Sequence, residues 1–247
     1  MDTQNPSVFS FISPQAFNAC LGRADMPLVL DVRRQERFNE SVRLPACAQR
    51  CASEDVAALA ASRPAGWRAH PPLTFAKRSD WGVTGEQPSR SVTRERPKID
   101  RIARPWLIRR FIKTQAAFFY VKAAQVLSQA EALGAVAYDT SGAPVSHVGE
   151  LCSFDALLLG FDLHDAALDL LATVVRGADT EHLELAPQSA GLLAFSLGLA
   201  QLHAVDDHAM LEAAMPLYDA LDAWCCDRVG AQDETHNWKP TTGREAT

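Results

Sequence analysis

Long apolar runs are missing from this chain. Among its 247 residues there is no stretch of about 18 consecutive apolar residues, so no membrane-spanning helix is expected. The opening Met1-Asp2-Thr3-Gln4-Asn5-Pro6 has neither a basic start nor a following apolar segment. That argues against a secretory leader and makes a cytoplasmic protein the expectation. Cysteine is sparse and irregularly placed: Cys20, Cys47, Cys51, Cys152, Cys225 and Cys226 fit no zinc-finger spacing, and Cys47-x3-Cys51 is not a redox CxxC pair. Free thiols are expected in a reducing compartment. Internal repeats and low-complexity tracts are also absent.

What is present is an ordinary globular composition, 47% apolar and 22% charged, with length for one large or two small domains. The net charge of −6 hides an asymmetry. From Arg90 to Lys113 the basic residues are Arg90, Arg94, Arg96, Lys98, Arg101, Arg104, Arg109, Arg110 and Lys113, opposed only by Glu95 and Asp100. A basic stretch in an acidic chain suits an anionic partner; intramolecular salt bridges to acidic helices are the alternative.

Ser13-Pro14 opens a helix, Leu28–Leu30 reads as a short buried strand, and Ser53 to Ala61 as a second capped helix. Residues 63–92, rich in Pro and Gly, read as an irregular connection. A helix is expected over Ile99–Ile112, capped by Asp100, with Trp106, Leu107, Phe111 and Ile112 on its apolar side and Arg109 and Arg110 facing water or a ligand. Ala117–Val121 is the best strand. A helix over Ala124–Leu133 ends at Gly134, and Ala135–Asp139 is a second strand. Helices are then expected at about 153–160, 164–176, 187–201 and 207–228. Gly177 is expected to stop the second of these. Gly191–Leu202 is apolar nearly all round and is expected to be buried on most sides.

Four ordered blocks in the second half carry a resemblance. They are Val92-Thr93-Arg94-Glu95-Arg96-Pro97-Lys98-Ile99-Asp100-Arg101-Ile102-Ala103 with Pro105-Trp106-Leu107-Ile108-Arg109-Arg110-Phe111-Ile112; His147-Val148-Gly149-Glu150-Leu151-Cys152-Ser153-Phe154-Asp155; Val174-Val175-Arg176-Gly177-Ala178-Asp179-Thr180; and Asp206-Asp207-His208 leading to Tyr218-Asp219-Ala220-Leu221. Together they resemble the C-terminal domain of bacterial chromate-resistance protein B (ChrB). The resemblance implies a role in chromate resistance and the response to chromate, with some relatives acting as chromate-responsive regulators. The family commonly has Cys where this chain has Arg104.

Residues 10–34, with Ile12-Ser13-Pro14 and Leu30-Asp31-Val32-Arg33, resemble the start of a rhodanese, and residues 66–73 its end. The catalytic-cysteine loop between them is missing. Sulfur transfer needs a thiolate cradled by backbone amides at a helix start, so a sulfurtransferase is disfavoured.

The expected fold is α/β and helix-rich: a truncated rhodanese-like segment over 1–78, a linker over 79–92, a mainly helical domain with a few short strands over 93–239, and a disordered tail over 240–247. Lys98, Asp100, Arg101, Arg109 and Arg110 are candidates for an oxyanion site, because guanidinium forks bind tetrahedral dianions such as chromate. Arg176 and Asp179 either join it or form a structural pair. His147, Glu150 and Cys152, with Asp206 and His208, are candidate ligands for a divalent metal such as zinc. The alternative has His147 hydrogen-bonded in the core, Glu150 paired with an arginine and Cys152 buried. Operator DNA is a further candidate partner through the basic stretch, although no clear recognition helix is present. A metal- or thiol-dependent reductase is the remaining enzymatic reading. The sequence does not set the oligomeric state.

Overall fold

The computed structural model describes residues 30–33, 35–45, 48–50, 74–81, 83, 89–144, 151–163 and 165–229. β1 (Leu30–Asp31) pairs in parallel with β3 (Gln49–Arg50), and β2 (Arg43–Pro45) pairs antiparallel with β4 (Thr74–Ala76), with α1 (Gln35–Glu40) between β1 and β2 in the chain. The expected helices at Ser13 and Ser53, residues Cys47 and Cys51, and the tail over 240–247 lie outside the described residues.

The second half is built on a three-stranded parallel sheet, in which β5 (Arg90–Arg94) lies between β6 (Ala117–Val121) and β7 (Val136–Ala137). The stretch expected to be irregular thus supplies the central strand, as well as β4 and a 3₁₀ turn at Ser79–Trp81. Arg-Ser-Val-Thr-Arg shows no clean alternation because both faces are covered: Ser91, Val92 and Thr93 are all buried. On one face Val92 packs with Phe119, Val121 and Ala137 against Val126 and Ala130 of α3 (Val126–Leu133). On the other, Phe118 and Tyr120 join the main helical core. Gly134 ends α3 in the left-handed conformation, as its sequence implies.

The chain runs from β5 through α2 (Asp100–Leu107) to β6, and from β6 through α3 to β7. The first strand is central and the next two flank it, so the two connections leave in opposite directions. In parallel sheets a reversal of this kind marks the carboxyl ends of the strands on either side of it, here β5 and β7, as the usual ligand position.

Helix α2 continues as a π turn over Ile108–Ile112, closed by Lys113 N–H donating to the Ile108 carbonyl at 2.7 Å. Pro105 sits inside α2 and has no N–H for the Arg101 carbonyl. The Tyr138 hydroxyl donates to that carbonyl instead, at 3.2 Å. Ile102, Trp106, Leu107, Phe111 and Ile112 are buried.

Among the described residues, four further helices complete the fold: α4 (Ser153–Gly160), α5 (Ala166–Asp179), α6 (Pro187–Leu202) and α7 (Asp207–Arg228). Helix α7 flanks α2: Asp219 accepts from Trp106 Nε1 and from Arg110 Nε and Nη2, each at 2.8 Å, and Glu212 accepts from Arg109 at 2.6 Å. Two expectations are corrected here. Gly177 does not stop α5 but lies inside it where α6 crosses; a Cβ there would stand 2.4 Å from Ser189 Oγ and 2.9 Å from the His182 carbonyl. Helix α6 is not buried on most sides. Its fully buried residues are Ser189, Leu192 and Ser196, while Phe195, Leu197 and Leu202 are exposed.

The first half shares the core of the second. Phe38, Leu44, Phe75, Trp81 and Val83 belong to the same buried cluster as the helices. Phe161, just past α4, meets Phe75 and Trp81 edge-on at 6.1 and 5.1 Å between centroids, its carbonyl accepts from Ala76 N at 2.7 Å, and Arg43 pairs with Asp162.

Gly177→Ala is expected to lower stability by about 1–3 kcal/mol, the usual cost of overpacking. A thermal melt at fixed protein concentration checks this, and an unchanged Tm would mean that α5 and α6 do not touch at this point.

Candidate functional site

The turn between β5 and α2 is strained. Ile99 has φ 42° and Arg96 φ 56°, in the left-handed region that β-branched side chains rarely enter. A conformation of this kind costs of order 1–3 kcal/mol and persists only when its surroundings hold it. The Ile99 side chain is buried, and its carbonyl accepts from the Tyr218 hydroxyl at 2.7 Å and from Ala103 N at 2.8 Å. The turn directs Asp100 away from its own helix. The expectation that Asp100 caps α2 is therefore corrected: α2 has no side-chain cap, and Asp100 caps α4. Its carboxylate accepts from Ser153 N at 3.0 Å, Ser153 Oγ at 2.5 Å and Phe154 N at 2.8 Å. A carboxylate at a helix N-terminus satisfies orphan amides and complements the positive end of the helix dipole.

A second carboxylate adjoins it. Asp155 accepts from Cys152 N at 3.0 Å and Cys152 Sγ at 3.2 Å through one oxygen, and from Arg176 Nη1 at 2.6 Å through the other. Burial, with Asp100 and Asp155 nearby, pushes the Cys152 thiol far above its ordinary range. The thiol keeps its proton at neutral pH and is neither a nucleophile nor a ready metal ligand in this state. The Tyr218 hydroxyl is likewise raised, first by burial and then by Asp100 and Asp179. Asp179 lies 3.5 Å from the Asp100 amide, at the outer limit of a hydrogen bond.

Arg104 lies in the interior at 1% exposure, its guanidinium 4.3 Å from the centroid of the Tyr138 ring. Its Nε and Nη1 have no hydrogen-bond partner among the described residues. Burial pushes its pKa down to about 10, against the opposing fields of Tyr138, Asp100 and Asp139, so it remains charged at neutral pH. Asp139, just after β7, pairs with Arg94 at 2.9 Å and with Arg101 at 3.3 Å. Arg94 Nε and the Tyr120 hydroxyl are also buried without partners among the described residues. Two of these residues, Arg94 and Tyr120, lie at the carboxyl ends of the neighbouring strands β5 and β6. Buried polar atoms are nearly always partnered, so each such group calls for an explanation.

Of the residues proposed from sequence, buried Asp100 and Cys152 and half-buried Arg176 and Asp179 meet in one polar cluster. Arg101 pairs with Asp139, past the end of β7. Arg109 and Arg110 pair with α7, on Glu212 and Asp219. Lys98 is half-buried and makes no ion pair among the described residues. Asp206 accepts from Ala209 N as the cap of α7, and the His208 ring stands edge-on to Tyr120 at 5.4 Å. His147 and Glu150 lie outside the described residues. Among the described residues no three His, Cys, Asp or Glu side chains gather as a metal site would need. Sequence reasoning misses Arg94, Tyr138 and Asp139 as site residues and takes Arg104 only as a departure from a pattern. Their signal is position: Arg94 ends one parallel strand and Asp139 lies just past another, on either side of a crossover.

Asp100→Ala is expected to cost about 2–4 kcal/mol, because two buried amides and a hydroxyl lose their acceptor; denaturant unfolding measures it, and a loss below about 0.5 kcal/mol would remove the cap from this account. Cys152 is expected to resist alkylation in the folded protein at pH 8 and at pH 9 alike. Peptide mass spectrometry after a timed iodoacetamide pulse reads this, and rapid native labelling would contradict a protonated, enclosed thiol.

Comparison with known proteins adds a family. The family model "ChrB, C-terminal domain" matches residues 91–225. "Protein ChrB" from Cupriavidus metallidurans (strain ATCC 43123 / DSM 2839 / NBRC 102507 / CH34) is 31% identical over 150 residues, covering 57% of this chain and 44% of that protein. The chain thus spans less than half the length of this curated relative. No solved structure matches significantly. The match begins at the central strand of the sheet and includes every residue of the polar cluster and of the Arg94–Arg101–Asp139 pairing, so by this match the chain belongs to the ChrB C-terminal domain family.

Proposed function

We propose that this protein serves chromate resistance in the cytoplasm as an accessory or regulatory protein, and that it recognises a tetrahedral oxyanion of the chromate class at the carboxyl ends of β5 and β7. One observation carries the reading: Arg104 is fully buried and charged, and two of its donors have no partner among the described residues. A buried, unsatisfied cation is costly, and an oxyanion presents the acceptors that a guanidinium fork fits. Arg94, half-exposed, and Arg101 offer the contacts nearer the surface; with Arg104 they set three guanidiniums against the carboxylates of Asp100 and Asp139. The carboxyl ends of parallel strands at a reversal of strand order are the usual ligand position in such sheets.

The oxyanion reading is better supported than the DNA reading. Arg109 and Arg110 are held in ion pairs on α7, leaving less of the basic stretch for phosphates. It is also better supported than a zinc site at Cys152, whose thiol is protonated and bonded to Asp155.

Thermal melts with chromate, and with molybdate as a non-oxidising anion of the same shape, test the proposal. Binding at about 100 times Kd adds about 2.7 kcal/mol and raises Tm by several degrees. Sulfate also raises Tm by exclusion from protein surfaces, so the deciding comparison is Arg104→Met. That variant is expected to melt higher than the parent without ligand, because it removes a buried charge with two donors lacking a partner among the described residues, and to lose the anion-dependent rise. An equal rise in parent and variant would sink the proposal.

A further inference from the structure

We propose that the exposed face of α6 is a self-association surface, on which two copies of this chain pack their α6 helices antiparallel about a two-fold axis. The face is defined by Gly191, Phe195, Gly198 and Leu202, spaced i, i+4, i+7 and i+11, which is the spacing of a helix-pairing seam. Phe195 is 64% exposed and Leu202 79% exposed, although the opposite side of α6 buries Ser189, Leu192 and Ser196.

The seam alternates small and large residues. A two-fold axis perpendicular to α6, midway between Phe195 and Gly198, sets Phe195 of each copy against Gly198 of the other. The same operation sets Leu202 against Gly191. Every large side chain then meets a glycine, so the surface is complementary to itself in the manner that an isologous interface requires.

The glycines are a second, independent observation. A Cβ at Gly191 or Gly198 would meet nothing within 4 Å, so packing within the chain does not require glycine at either place. Glycine inside a helix is nonetheless among the least favourable residues for helix stability. A hollow at these two positions has a physical reason when an external side chain enters it.

Charge points to the same occupant. Pro187 to Leu202 contains no charged residue in a chain that is 22% charged and carries −6 overall. Two such copies repel over most of their surfaces, and a charge-free face is where they can approach. The segment after Val229 is an unsuitable cover, since Gln232-Asp233-Glu234-Thr235-His236-Asn237 and the residues beyond it are mostly polar. A 16-residue helix is about 24 Å long, which makes this contact smaller than the roughly 800 Å² per partner of a standard interface. The dimer is accordingly a weak, transient one.

Sedimentation equilibrium on the full chain, from about 1 to 300 μM, tests this across the range where a micromolar Kd changes the populations. The parent is expected to pass from monomer to dimer. Phe195→Glu is expected to weaken association by about a hundredfold, since it places a charge at the centre of the seam. Gly198→Leu is expected to abolish the dimer while leaving the dilute protein at least as thermally stable, because nothing in the monomer obstructs the new side chain. The double exchange Phe195→Gly with Gly198→Phe restores dimerisation, since symmetry still sets each Phe against a Gly. A parent that stays monomeric throughout overturns the proposal, as does a dimer that survives Gly198→Leu unchanged.

Discussion

The carboxylate of Asp100 joins three parts of this fold. It stands at the first residue of α2, accepts from the first amides of α4, and is placed there by a turn that holds Ile99 at positive φ. The strain of that turn is offset by burial of the Ile99 side chain and by the Tyr218 hydroxyl of α7 on its carbonyl. The cap of α4, the entry to α2 and the position of α7 are therefore one interaction. If the Ile99 turn relaxed, Asp100 would leave the α4 amides, and the polar cluster of Cys152, Asp155 and Arg176 would lose its neighbour.

A related economy governs the sheet. Pro105 removes a donor from α2, and the Tyr138 hydroxyl supplies the replacement from beyond β7. The same tyrosine presents its ring to Arg104, and its own carbonyl accepts from Thr93 Oγ1 at 2.9 Å. Three contacts, one of them replacing the donor that Pro105 lacks, thus converge on one residue at the carboxyl end of the sheet. Departures from regular structure such as Pro105 are tolerated where surrounding packing over-determines them, which is why they cluster at functional positions.

The elements of the second half are legible in the sequence, and their partners much less so. The helix beginning at Asp100, the strand Ala117–Val121, the Gly134 stop and the later helices emerge from periodicity and terminal signals, which are local. Asp100 reads as a local cap because Asp before an apolar period usually is one. Its true acceptor role lies with Ser153 and Phe154, more than fifty residues away, and no local rule reaches that far. β5 escapes because its buried residues Ser91 and Thr93 are polar and both faces of the strand are covered, so the period-two signal is absent. Gly177 and Gly191 look alike in sequence: one admits the crossing of α6 and the other faces open space. Apolarity on every side of α6 reports that the helix avoids water without reporting whether the cover comes from its own chain. The polar cluster is partly legible, through Asp100, Cys152, Arg176 and Asp179. Arg104 stays hidden because a buried cation breaks the pattern by which arginines are assigned to surfaces.

The π turn at Ile108–Ile112 has a consequence for how this segment can change in length. The wider turn brings both Arg109 and Arg110 onto α7, where their acceptors Glu212 and Asp219 are seven residues, or about two helical turns, apart. The turn accommodates one residue more than a regular helical turn, so a single deletion within it can be absorbed by closing it to an α turn, with the phase of the residues after it kept. A deletion between Lys113 and Ala117 has no such reserve: it would slip β6 against β5 and exchange the two faces of the strand, so tolerance to a change of length ends where the wide turn ends.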